Sequence, residues 1–164
     1  MISVPLSDAA LFSFDSSSLI HAWNRAYRPK NFPSFWEHLE EAVTSGVVVA
    51  STEVLSELSR KDDAVHSWCK HLASSLCVDV DDAQQEHMRH IMGTYPRLVD
   101  TVKGRSGGDP FVIALARVRH GRIIVVSEED FGRKESPRIP DVCRAESILC
   151  YKLADFIEER GWSF

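Results

Sequence analysis

Five short runs carry the apolar, β-branched signature of buried strands, and longer runs of helical period lie between them. LFSF (11–14) is the first. GVVVAS (46–51) follows, with Val47, Val48 and Val49 in succession, as in a strand covered on both faces. LCVDV (76–80) is weaker and more amphipathic, RIIVVS (122–127) is strong, and SIL (147–149) reads as a last edge strand. Helices are predicted over 18–27, 34–45, 83–92, 97–103, 110–120 and 151–160. A longer one over 52–75 breaks near Lys61, Asp62 and Asp63. Strands alternating with helices predict right-handed crossovers and a mostly parallel sheet covered on both faces. No repeat or linker divides residues 1–164, so a single domain is expected.

The length of 164 residues suits one domain with a substantial core, and 44% hydrophobic content is ordinary for a globular chain. No apolar run approaches the roughly 20 residues needed to cross a bilayer. The opening MISVPLSDAAL lacks the basic start and apolar stretch of a signal peptide, so a cytoplasmic location and no membrane partner are expected. Cys69, Cys77, Cys143 and Cys150 form no CxxC pair and read as small apolar residues. The pairs His87/His90 and His66/His71 lack the third ligand that zinc requires. A net charge of −5 weighs against a nucleic-acid coat or clamp. It is compatible with an enzyme that keeps a metal in an acidic site and meets its substrate through a local basic rim.

The acids at predicted strand ends carry the candidate chemistry, because sites in open α/β sheets form beyond the carboxyl ends of the strands. Asp15 follows LFSF directly. It is either a helix cap or a ligand, and Ser16 to Ser18 are able to do the capping themselves. Asp109 stands before Pro110 at a familiar helix start, opening the apolar helix PFVIALARV, which should fix it beside the sheet. Glu57, in STEVLSEL, is either a solvated partner of Lys61 one turn on or an inward-facing acid. It lies nearer the buried side defined by Val54, Leu55 and Leu58 than Glu53, the reserve candidate. Glu128, Glu129 and Asp130 follow RIIVVS, and Asp141 lies in RIPDVC.

Two carboxylates about 4 Å apart repel by roughly 4 kcal/mol at an effective dielectric near 20. Several acids gathered at one sheet edge therefore require protons or a bridging cation. Oxygen-only ligands suit Mg²⁺ or Mn²⁺ better than zinc. Such a cluster commonly serves phosphodiester hydrolysis.

At these residues the chain resembles a PIN domain, the nuclease fold of VapC-like toxins, over nearly its whole length. FSFDSSSLI resembles the first strand with its metal-binding Asp and following Ser/Thr, and VVVASTEVLSEL the second strand and the helix with its Glu, aligning Glu57. GGDPFVIALA resembles the third acidic motif, and IIVVSEEDF the strand followed by Thr-x-Asp. Here Ser127 stands for the Thr and Glu129 for the Asp, while Asp130 precedes Phe131 one residue early. The fourth ligand is thus open between Glu129 and Asp130, and Asp141 is an alternative or a supplement. PRIPDVCRAES marks a divergent PIN-like branch.

The resemblance implies a three-layer α/β/α fold with a mostly parallel, about five-stranded sheet. It also implies a Mg²⁺- or Mn²⁺-dependent endoribonuclease acting on RNA. Asp15, Glu57, Asp109 and Glu129 would hold the metal, and Ser16 or Ser17 would orient Asp15 or touch a phosphate. Lys103 and Arg105 would form a basic rim, with Arg25, Arg28 and Lys30 as a second patch, although each alone reads as solvated charge. Bacterial relatives of this kind are usually toxins that often form homodimers and are blocked by an antitoxin protein. The altered fourth motif keeps a second expectation, a catalytically inactive PIN-like binding or assembly module. A HAD-type phosphatase would need a second Asp two residues after the first, where Ser17 stands.

Overall fold

The computed structural model describes residues 10–99, 109–119 and 121–164. Its sheet has five parallel strands in the order β3-β2-β1-β4-β5. They are β1 (Leu11–Phe14), β2 (Val48–Ser51), β3 (Cys77–Val78), β4 (Ile123–Val126) and β5 (Cys150–Tyr151). Phe12 lies opposite Val48 on one side and Ile124 on the other, which makes β1 the centre of the sheet. Between the strands run α1 (Ser16–His21), α2 (Pro33–Thr44), α3 (Thr52–Lys61), α4 (Asp63–His71) and α5 (Ala73–Leu76). They are followed by α6 (Asp82–Thr94), α7 (Asp109–Val118), α8 (Ile139–Ala145) and α9 (Leu153–Arg160).

The period of two along β1 assigns its faces. Phe12 and Phe14 point to one side, where the Phe156 ring of α9 meets them edge-on at 4.8 and 4.9 Å. Ser13 points to the other, toward Val112 of α7, and its small side chain lets that helix lie close. α7 is buried nearly all round, with Val112, Ile113, Ala114 and Ala116 fully covered, because it is wedged between the sheet and α6. Behind it Glu146 gathers Tyr95, His90 and Arg117, while Arg117 also donates to Nδ1 of His87. The two histidines therefore serve a clamp between α6, α7 and the end of α8.

Several expected boundaries move, each for a local reason. α1 begins at Ser16, two residues early, and continues as a π-helical turn over Ala22–Ala26, closed by Tyr27 N–H on the Ala22 carbonyl. Val47 and Val49 are only half-buried, so β2 alternates rather than being covered on both faces. Leu76 ends α5 and leaves β3 two residues. The edge strand is not SIL: Ser147 turns the chain at φ 59°, Ile148 N–H closes α8 on the Cys143 carbonyl, and β5 forms at Cys150–Tyr151. The helix expected from 151 accordingly starts at Leu153. Residues 97–99 form a turn, not a helix, and the rest of that expected helix lies outside the described residues.

Phe156→Ala should cost about 3–5 kcal/mol, as for buried aromatic truncations generally. At roughly 2–4 °C per kcal/mol for a chain of this size, Tm should fall by about 10 °C in a thermal melt. A drop of only a degree or two would mean that the edge-on contacts with Phe12 and Phe14 do not anchor α9.

Candidate active site

Strand order reverses at β1: the chain leaves it for β2 on one side and later returns to β4 on the other. Such a switch point opens a crevice beyond the carboxyl ends of the strands. Asp15 stands at its floor, 3% exposed, held by its own N–H on the Val126 carbonyl at 2.9 Å. It occupies the position before α1, yet its side chain makes no capping bond. Oδ2 instead accepts from Ser17 at 2.6 Å and Ser127 at 3.1 Å. The serines do not cap either, contrary to expectation. Ser16 donates to Glu57 Oε1 at 2.7 Å, and Ser18 donates to the Val126 carbonyl at 2.7 Å. Ser16 therefore orients Glu57, and Ser17 orients Asp15.

Glu57 is 2% exposed on the inner side of α3. Its pairing with Lys61 is present, at 2.7 Å, with the carboxylate buried and the lysine side chain 45% exposed. Glu53 lies in the first turn of α3, half-buried, and does not line the crevice. Asp109 opens α7 and is 5% exposed. The three acids after β4 diverge. Glu128 accepts from Leu153 N–H at the start of α9, at 3.0 Å. Asp130 is exposed and pairs with Lys152. Glu129 turns into the crevice, with its N–H on Ser127 Oγ and its Oε2 accepting from Ile139 N–H. Asp141 accepts from Gly132 N–H at 2.7 Å and Arg138 N–H at 2.9 Å, so it fastens the start of α8 and stays outside the crevice.

Asp15, Glu57, Asp109 and Glu129 thus line one cleft of about 380 Å³. His21, Asn24, Arg25 and Lys61 share its walls. Lys61 had entered only as a surface partner of Glu57, and its inward course depends on how α3 is rotated against the sheet. His21 and Asn24 gave no sequence signal of their own. Arg28 donates to the Asn24 carbonyl, Lys30 is exposed outside the cleft, and Lys103 and Arg105 lie outside the described residues.

The acids crowd one another. Burial pushes Asp15 up to about 6, opposed by the Ser17 hydroxyl and reinforced by Glu129 and Glu57. Burial pushes Asp109 up to about 9, reinforced by Asp15, Glu129 and Glu57 and opposed by Lys61. Burial acts to lower the Lys61 ammonium, but its bond to Glu57 and the charges of Asp15 and Asp109 carry it above its ordinary value. Among the described residues no three acidic, histidine or cysteine side chains are grouped so that, as they stand, they could hold a metal ion.

Several solved structures share this fold, two of them as follows. One is VapBC2 from Rickettsia felis bound to a DNA fragment from its promoter, with TM-score 0.54 and 15% identity over 87% of this chain and 98% of the other. The other is DNA-bound VapBC from Salmonella typhimurium, with TM-score 0.51, 20% identity and the same coverage, 87% and 98%. The parallel five-stranded sheet between helices is the PIN-like fold. Within it, residues 12–164 match the family described as a domain of unknown function, DUF4411, and the chain belongs to that family. Among curated proteins none matches it.

A carboxyl group whose folded pKa is raised stabilises the fold below its unfolded value, near 4, and loses that contribution as pH rises through the folded value. For Asp109 the window runs from there to about 9, and for Asp15 to about 6. Above pH 6, in chelator, Asp109→Asn should therefore gain on the parent protein by about 1.4 kcal/mol per pH unit. That corresponds to roughly 3–5 °C in Tm for each unit between pH 6 and 8. Parallel melting profiles for the two proteins would show that Asp109 is not the strained carboxyl.

Proposed function

We propose that this chain is a divalent-metal-dependent endoribonuclease that hydrolyses RNA phosphodiester bonds and serves as the toxin of a bacterial toxin–antitoxin pair. One observation carries the reading: four carboxyl groups, from the ends of β1 and β4 and from α3 and α7, line one cleft at the switch point. The donors are oxygen-only and mutually repulsive, which fits a hard cation such as Mg²⁺ or Mn²⁺. Asp15, Glu57, Asp109 and Glu129 would hold it. Such a cation supplies Lewis acidity at the phosphate oxygens and at the attacking water.

The protein's own groups have separable tasks. Ser17 and Ser127 hold Oδ2 of Asp15, so the carboxylate keeps one orientation while ligands exchange. Ser16 does the same for Glu57. Lys61 and Arg25, on the cleft wall, are placed to meet phosphate oxygens, and Lys103 and Arg105 would extend that rim. The two structures described above are VapBC assemblies on DNA, which supports an antitoxin protein as partner here. A homodimer working in the cytoplasm completes the reading.

A second reading, the catalytically inactive PIN-like binding or assembly module, is favoured by one detail. Lys61 already engages Glu57 inside the cleft, where no three of the described carboxyl groups stand grouped to hold a metal ion.

Asp15→Asn and Asp109→Asn should each reduce Mn²⁺-dependent cleavage of single-stranded RNA at least a hundredfold while retaining the parent circular dichroism. Single-stranded DNA as a parallel substrate assigns the sugar. Calorimetric titration should show Mn²⁺ binding to the parent protein and its loss in Asp15→Asn. A parent protein that neither binds Mn²⁺ nor cleaves RNA would hand the case to the binding module.

A further inference from the structure

A second cleft, of about 570 Å³, opens on the far side of Glu129, which lines both cavities. Its walls come from the loop after β4, the end of α8 and the edge strand β5. Four large hydrophobic side chains among the described residues stand open to water, and two of them, Phe131 at 59% and Leu149 at 62%, belong to this groove. Single exposed apolar residues need no explanation, but two lining one cleft leave apolar surface there that a bound group would cover. The Arg144 guanidinium lies 4.5 Å from the centre of the Phe131 ring and braces it without covering it. Lys152 stands at the mouth, tied to Asp130.

The chemistry of this groove selects its occupant. The lining is apolar and aromatic, with Ile148, Leu149 and Tyr151 beside Phe131, so it takes a flat, uncharged group rather than a phosphate. Its acids, Glu129, Asp130 and Asp155, would repel an anion inside, whereas Arg144 and Lys152 offer cations at the margin. Its volume lies in the range of small-ligand sites. Aromatic rings and guanidinium planes are the platforms on which proteins stack unpaired bases.

We propose that this groove is a nucleobase subsite, in which the base next to the phosphate held among the acids stacks on the Phe131 ring braced by Arg144. The placement rests on the nuclease reading above, because a strand whose phosphate enters the acidic cleft can carry its neighbouring base past Glu129, the wall the two cavities share. Base stacking is sequence-tolerant, so the subsite would define the substrate as single-stranded RNA rather than select a particular base.

Adenosine, which has no phosphate, tests the groove without metal and without cleavage. In a titration followed by ¹H–¹⁵N correlation spectra, shifts should concentrate on Phe131, Arg144, Leu149 and Tyr151. Phe131→Ala should abolish them and Phe131→Trp should restore them. Phe131 is exposed, so Phe131→Ala should melt within about 2 °C of the parent. Affinity for a single-stranded RNA hexamer should fall about tenfold in Phe131→Ala, within the span measured for single base–aromatic stacks. No shift at tens of millimolar adenosine, or shifts that survive Phe131→Ala, would overturn the proposal. So would an extended peptide that pairs along β5 in a protein silent to adenosine. Groove shifts in a protein that cleaves no RNA would keep the subsite and remove the nuclease, and RNA cleavage without groove shifts would do the reverse.

Discussion

Four carboxyl groups cannot occupy one buried cleft as four bare negative charges, and much of this structure follows from that constraint. Two such charges about 4 Å apart would repel by roughly 4 kcal/mol even at an effective dielectric near 20, before any desolvation is counted. The protein offsets the charge in two ways. Lys61 brings an ammonium to Glu57, and Asp109 keeps its proton at neutral pH. The hydroxyls of Ser16, Ser17 and Ser127 add dipoles directed at the oxygens of Glu57 and Asp15.

The fold can impose this crowding because the positions are fixed by surface that has nothing to do with charge. Asp15 is carried on the most central strand, where backbone bonds run to neighbours on both sides. Asp109 is held at the head of a helix buried nearly all round. Glu57 sits between Val54 and Leu58, whose burial sets the rotation of α3. Apolar packing over these elements is large compared with the cost of a strained acid, so the acids yield by changing protonation rather than by moving.

How much of this was legible in the sequence depended on whether each signal was local. LFSF and IIVV were visible because buried parallel strands read as uninterrupted apolar runs. The edge strand at Cys150–Tyr151 was misplaced because its position depends on the turn at Ser147, a non-glycine residue at positive φ that composition does not announce. The four cleft acids were found from their place after strands and at helix starts, which topology gathers to one edge. Asp130 and Asp141 looked equivalent to Glu129 in sequence. Only the path of the loop after β4 separates them: Asp130 meets Lys152, Asp141 fastens α8, and Glu129 alone turns inward. Lys61 was legible as a partner and illegible as a cleft residue, since spacing of four along a helix says nothing about which side is buried.

The balance between Lys61 and the acids bears on what the cleft is for. If the lysine were there only to stabilise the fold, a well-packed apolar group would serve as well or better, since buried ion pairs contribute little net stability. Its side chain is instead 45% exposed, with a flexible stem that can carry the ammonium out to solvent. One ammonium also falls short of the charge that four ionised carboxyl groups present, and the proton on Asp109 makes up part of the difference. A cleft filled in this way leaves its carboxyl groups balanced by partners that can be exchanged. A divalent cation entering it would displace a proton from Asp109 and compete with an ammonium for Glu57. Both exchanges require less of the fold than creating the site afresh would, because the backbone positions are already set by the sheet and by α3 and α7.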